Sequence, residues 1–148
     1  MPYTFHVRLL RPTLLICAAV LGCRHQTPEP LLPLEMLKGV TALVSHPDVV
    51  LHDGTLCSSQ GYAIHESIER VVAKVRAQLP PELGLVSDGI HIDKQFNPGQ
   101  AGANFTGGHS GVTRVLDIRS GKPREGAPDD RSHEDQWSSL AIFRFHKG

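Results

Sequence analysis

The sequence predicts an α+β domain in which a small antiparallel sheet carries one long amphipathic helix packed on a face. Only one long segment, over 60–79, has its apolar residues on a helical period, and it lies among short β-prone segments separated by turn-forming residues. One helix and several strands pack most simply as two layers, because the apolar stripe of the helix covers one face of the sheet. The chain has 148 residues, and we expect residues 34–148 to form this single domain.

The first part of the predicted domain is a strand followed by a hairpin. Residues 40–44 are β-prone, and His46-Pro47 is expected to end that strand. The hairpin joins residues 49–52 to residues 55–57 through Asp53-Gly54. This dipeptide readily adopts the positive φ angles of a two-residue type I′ turn.

The helix is predicted from about Gln60 to Leu79. It is expected to stop there, because the prolines of Pro80-Pro81 cannot continue a helix. Its apolar residues recur three or four positions apart and therefore share one face: Ile64, Ile68, Val71, Val72, Val75 and Leu79.

Beyond the helix, β-prone segments alternate with loops. A second hairpin, formed by 83–86 and 90–93, is predicted around Ser87-Asp88-Gly89. Residues 97–111 are predicted to be a loop because they contain five glycines. The remaining predicted elements are a strand over 112–118, a polar loop over 119–136 and a strand over 140–145.

The first 22 residues have the pattern of a secretion signal. Arg8 and Arg11 precede an apolar run over 14–21, which is far shorter than the roughly 20 residues of a membrane-spanning helix. The sequence Val20-Leu21-Gly22-Cys23 follows at once and resembles the lipobox of bacterial lipoproteins. The resemblance implies that residues 1–22 are removed and that Cys23 is acylated. An ordinary secretory signal is the alternative.

Residues 23–33 are predicted to be the acylated cysteine and a proline-rich tether. The lipoprotein resemblance implies anchoring on the periplasmic side of the cell envelope. Arg24 favours the outer membrane, because inner-membrane lipoproteins of many Gram-negative bacteria have Asp after the cysteine. The expected partners are the membrane, through the anchor, and another envelope protein.

The charge of the mature chain does not favour nucleic acid as a partner. The chain has 15 Lys and Arg, of which Arg8 and Arg11 lie in the signal, so the mature part carries 13 against 15 Asp and Glu. No basic patch stands out in such a balanced composition. No HExxH or CxxC spacing is present either, so we expect no metal site and no cofactor.

The clearest candidate binding site is the segment Gly107-Gly108-His109-Ser110. Glycines allow backbone N–H groups to approach an anion, and histidine exchanges a proton near neutral pH. His91 and His109, with a cation such as Lys94 or Arg114, could cleave a phosphodiester by general acid–base catalysis. Residues 90–111 also resemble the Gly-Gly-His region of EndoU-type ribonucleases, which implies a catalytic role for the two histidines.

The sequence therefore leaves two functions open. The first is a small binding or accessory domain of the envelope, of the inhibitor or immunity-protein type. The alternative is a secreted His-dependent hydrolase that cleaves phosphodiesters in the EndoU manner. Binding predicts that replacement of His91 or His109 is tolerated, whereas catalysis predicts that it is not.

Overall fold

The protein is described by a computed structural model, which covers residues 30–95, 97–124, 127–130 and 133–148. Its helix α1 is Ile68–Gln78, and two short 3-10 helices are Glu35–Leu37 and Pro81–Leu83. The strands are β1 Val44–Val50, β2 Thr55–Ile64, β3 Val86–Ser87, β4 His91–Ile92, β5 Ala101–His109, β6 Val112–Ser120, β7 Lys122–Arg124, β8 Ala127–Asp130 and β9 Ser138–Lys147.

The strands form one large antiparallel sheet and one small one. The large sheet has the order β1-β2-β9-β6-β5-β3, and β4 also pairs with β5. The small sheet consists of β7 and β8, which lie within the stretch 119–136 that was predicted to be a loop. With α1 packed against β5 and β6, the architecture is broadly α+β, as predicted.

The core lies on one face of the large sheet, which we call the inner face. Alternate residues of β2 are buried there, and the register places Tyr62 beside Leu140, which in turn lies beside Ile118. The same alternation buries one face of each central strand. The core consists of Leu32, Leu34, Leu37, Tyr62, Ile64, Ile68, Val71, Val72, Val75, Ala103, Phe105, Leu116, Ile118, Leu140 and Ile142.

The predicted long helix over 60–79 is wrong in its first third. Helix α1 has 11 residues, and residues 60–64 are the end of β2, in register with β9. The error arises because the spacing of four from Ile64 to Ile68 fits both a helical period and a strand period of two. In β2 the burial alternates: Gln60, Tyr62 and Ile64 are buried, and the residues between them, Gly61 and Ala63, are only partly buried. The strand therefore satisfies the pattern that was assigned to the helix.

The predicted loop over 97–111 is wrong, because residues 101–109 form the strand β5. The glycine at 107 permits a close crossing, since a Cβ atom there would lie 2.4 Å from the carbonyl oxygen of Gly84 and 2.9 Å from the Cα of Leu85. The β5–β6 turn is formed by Ser110 and Gly111, with φ angles of 51° and 76°. These positive values match a type I′ turn.

The second predicted hairpin is also wrong. β3 and β4 both pair with β5 and not with each other, with Ser87 opposite Phe105 and His91 opposite Gly102. Phe105 and Gly102 are three positions apart in β5, whereas Ser87 and His91, which lie opposite them, are four positions apart. The edge strand therefore contains one extra residue. β3 and β4 are therefore two parts of an irregular edge strand with a bulge between them.

The hairpin at the other edge is confirmed, with differences in detail. Its turn has four residues, 51–54, in which the N–H of Leu51 donates to the carbonyl oxygen of Thr55 at 2.7 Å and Gly54 has a φ of 81°. Pro47 lies inside β1 and does not end it. An edge strand tolerates proline, and the register of β1 shifts between His46 and Val49.

Both of the later predicted strands are confirmed and extend further than expected, as β6 and β9. Packing begins before the predicted domain start at residue 34. The side chain of Leu32 is fully buried, and the N–H of Leu31 donates to Oε1 of Gln60 at 2.7 Å. The C-terminal end of the predicted tether thus lies against the inner face of the sheet.

Candidate functional site

The two predicted catalytic histidines lie on opposite faces of the sheet. His109 is on the inner face of β5, with the same parity as Phe105, whereas His91 is opposite Gly102, whose position belongs to the other face. Gly102 precedes His109 by seven residues, which corresponds to about 23 Å along a strand. His91 and His109 therefore do not form a pair that could act on one substrate.

The predicted anion-binding segment is part of a regular ladder. Gly107, Gly108 and His109 are opposite Arg114, Thr113 and Val112 in β6, and Ser110 is in the turn. The backbone of this segment pairs with its neighbouring strand, so it is not a glycine loop wrapped around an anion. His109 is exposed at the end of β5 on the inner face.

The inner face continues beyond the core as a row of polar residues. Ser58 is opposite Arg144, Arg144 is opposite Arg114, and Arg114 is opposite Gly107. Ile142 and Leu116, two positions away on the same strands, are fully buried. The row therefore lies directly at the margin of the core. We call the group of Asp48, Ser58, Arg114, Arg144 and His146 the arginine site.

Asp48 completes one side of this site from the edge strand β1. The hydroxyl of Ser58 donates to Oδ1 of Asp48 and accepts from a terminal guanidinium nitrogen of Arg144 at 3.2 Å. The same nitrogen of Arg144 lies 3.6 Å from Oδ1 of Asp48, and Nε2 of His146 lies 3.6 Å from its Oδ2. The hydrogen bond from Ser58, and then His146 and Arg144, lower the pKa of the Asp48 carboxyl.

The other side of the site has donors without acceptors. Nε of Arg114 and Nε of Arg144 are buried donors that make no hydrogen bond to the described residues. Nδ1 of His146 is also buried without a hydrogen-bond partner there. Among those residues, Arg114 has no carboxylate within ion-pair distance, and Asp48 reaches only Arg144 and His146. Buried donors normally have partners, so the site has an unmet capacity to bind an acceptor.

The two guanidinium groups are also an unfavourable pair by themselves. Arg114 and Arg144 are directly opposite on neighbouring antiparallel strands, where like charges destabilise the sheet. Two arginines and Asp48 together contribute a net charge of about +1 to the site. An anion between the two guanidinium groups would relieve the repulsion and could accept hydrogen bonds from both of them.

The sequence identified one residue of this site and missed the others. The sequence indicates Arg114 as a cation that could assist catalysis, but it does not indicate a site that includes Asp48, Ser58, Arg144 and His146. The available signal was the alternation in β9, where Arg144 and His146 interrupt the apolar face that begins with Leu140 and Ile142. That alternation places the residues on the inner face but does not reveal which strands lie beside them.

The chain matches no protein-family model, no curated protein and no solved structure. In the part of the chain that the structure describes, no helix has the length and apolar character needed to cross a membrane. The same part brings together no group of three His, Cys, Asp or Glu residues that could hold a metal ion. Cys23, the predicted lipidation site, lies outside the described residues, as does the predicted signal peptide 1–22.

Proposed function

We propose that this protein is a lipoprotein of the bacterial cell envelope whose domain acts by binding an anionic group at the arginine site. The sequence up to Cys23 supports the lipid anchor and a periplasmic location, with the outer membrane favoured by Arg24. The single observation that supports the ligand class is the cross-strand pair of Arg114 and Arg144, each with a buried Nε that has no acceptor. Binding, not catalysis, is the leading function, because the predicted catalytic pair is separated.

The first test of this proposal is to replace either arginine by glutamine. Arg114→Gln and Arg144→Gln should each weaken the binding of inorganic phosphate by about tenfold to about a hundredfold, because a hydrogen bond to a charged group contributes about 1.5–3 kcal/mol. The measurement is isothermal titration calorimetry of the full mature protein. Arg70→Gln on the exposed face of α1 is the matched control and should bind as the unmodified protein does. Equal affinities for all four proteins would contradict the site.

The second test concerns the anchor. Cys23→Ser removes the thiol that acylation requires, so the protein should leave the membrane fraction or persist as the uncleaved precursor. Cell fractionation and mass spectrometry of the N-terminus measure both outcomes. The control is Cys57→Ser, in a half-buried position within β2, which should leave fractionation unchanged. Unchanged fractionation and mass after Cys23→Ser would show that the resemblance to a lipobox is misleading.

Phosphodiester hydrolysis is the second candidate function, with a different pair of histidines from the predicted one. His109 and His146 are both opposite Val112 and lie on the inner face beside the arginine site. Their Cα atoms are separated by about 10 Å, twice the strand spacing. Two imidazoles beside a cation can serve as general acid and base.

Cleavage of a short RNA by the mature protein would test this second candidate. His109→Ala and His146→Ala should then each abolish product formation, as measured by mass spectrometry, while His46→Ala on the opposite face of β1 should not. Loss of cleavage with His91→Ala, on the other face of the sheet, would contradict the pair His109 and His146. No cleavage by the unmodified protein would leave binding as the function.

A further inference from the structure

We infer that the anion bound at the arginine site is the phosphodiester of a phospholipid headgroup, in the same membrane that holds the acylated Cys23. This inference rests on the proposed function, both for the lipid anchor and for anion binding. It assigns the site a ligand of defined chemistry. It also assigns the domain an orientation in which the end of the inner face that the core leaves uncovered, at the arginine site, contacts the lipid surface. Three features of the molecule support it.

The first feature is the match of charge. Arg114 and Arg144 contribute two positive charges and Asp48 one negative charge, so a single negative charge neutralises these three groups. A phosphodiester carries one negative charge. Its two non-bridging oxygens diverge from the phosphorus atom, so each can accept a hydrogen bond from the guanidinium group of a different arginine. Asp48 already places a carboxylate beside Arg144, whereas Arg114 has no such partner among the described residues.

The second feature is the place where the chain enters the domain. The N–H of Leu31 donates to Gln60 at 2.7 Å, and Gln60 lies two positions from Ser58 on the same face of β2. The chain therefore reaches the inner face beside the arginine site. Cys23 precedes Leu31 by eight residues, which span at most about 28 Å when fully extended. This short connection keeps the arginine site close to the surface that holds the acyl chain.

The third feature is an apolar residue at the rim of the site. Val50 is opposite Leu56, which is opposite His146, so Val50 lies on the inner face at the edge of the sheet. Its side chain is 68 % exposed. Exposed apolar side chains beside cationic ones are typical of surfaces that contact the headgroup region of a bilayer.

The test uses the acylated mature protein in two kinds of vesicle. One contains phosphatidylglycerol and phosphatidylethanolamine, and the other contains a neutral galactolipid that lacks phosphate. Phenylglyoxal modifies accessible guanidinium groups, and peptide mass spectrometry gives the rate at each arginine. We expect Arg114 and Arg144 to be modified about tenfold more slowly in the phospholipid vesicles, the factor associated with one charge-assisted hydrogen bond. Arg70 and Arg76, exposed on α1, are internal controls and should react equally in both.

The same measurement in galactolipid vesicles with added soluble anions separates this inference from the proposed function. Protection of Arg114 by phospholipid but not by galactolipid supports the inference. Protection by inorganic phosphate or acetate, without protection by phospholipid, overturns the inference and leaves the anion site intact. No protection by any anion overturns both. Val50→Trp in a Trp137→Phe background places the single tryptophan of the chain at the rim of the arginine site. If the two arginines hold this rim on the phospholipid surface, adding Arg114→Gln and Arg144→Gln should make a soluble quencher reduce the fluorescence more strongly. Equal quenching with and without the two arginines would count against the proposed orientation.

Discussion

Replacing Gly107 by alanine is expected to destabilise the domain by about 3 kcal/mol, the upper end of the usual cost of overpacking. The added Cβ would lie 2.4 Å from the carbonyl oxygen of Gly84, 2.7 Å from its carbonyl carbon and 2.9 Å from the Cα of Leu85. All three atoms belong to the backbone, so no side chain can rotate away to make room. The segment between the second 3-10 helix and β3 must move away from β5. Urea denaturation followed by circular dichroism measures the loss of stability.

Gly108→Ala is the matched control for this prediction. Gly108 is the next residue of the same strand, but a Cβ atom there would have its nearest neighbours at 3.6 Å, which is an ordinary contact. The free energy of unfolding should stay within about 0.5 kcal/mol of that of the unmodified protein, or rise slightly because the unfolded chain loses freedom. Equal destabilisation by the two substitutions would mean that replacing any glycine of this strand lowers stability, and that the close contact between Gly84 and Gly107 is not the cause.

Replacing Phe105 by alanine is expected to cost about 3–5 kcal/mol of stability, the range measured when a buried aromatic side chain is truncated. Phe105 is 1 % exposed and lies opposite Leu116, in the central part of the inner face. Its removal takes apolar area out of the core and leaves a cavity that the flanking strands cannot fill without disrupting the sheet. Thermal and urea denaturation should both show the change. A cost below about 1 kcal/mol would be incompatible with this position in the core.

The control for this substitution is Val86→Ala in the neighbouring edge strand. Val86 is opposite Thr106 and is 72 % exposed, so little apolar surface changes its environment on truncation. The expected change is within about 0.5 kcal/mol. The contrast between Phe105 and Val86 tests the assignment of the two faces, because the two residues lie in adjacent strands but point to opposite sides of the sheet.

In the helix, the spacing of apolar residues predicts which side chains are buried but not where the helix begins. Ile68, Val71, Val72 and Val75 are buried in α1, and all four belong to the stripe that the spacing predicted. The same stripe led to the wrong N-terminal boundary, because Ile64 is buried from a strand. A strand and a helix both place residues four positions apart on one face. Only the pairing of residues 60–64 with β9 distinguishes the two.

In the glycine-rich segment 97–111, the local composition predicts the wrong secondary structure. Five glycines in 97–111 indicated a loop, because glycine in a strand ordinarily weakens it. In the structure the crossing of Gly84 over Gly107 requires a residue without a side chain, and β5 is held between β6 and β3. A close backbone contact between segments 23 residues apart leaves no local signature, so the strand could not be recognised from its own residues.

The sequence by itself determined the class of the domain, the two final strands of the large sheet, the first hairpin and the buried residues of α1. These features depend on short-range periodicity and turn residues, which are readable one segment at a time. The tertiary structure alone decided which residues form a site. Asp48, Ser58, Arg114 and Arg144 come from four strands, and only the order β1-β2-β9-β6 brings them together. Alternation along a strand specifies the face of a residue, whereas its neighbours across the sheet are set by long-range pairing.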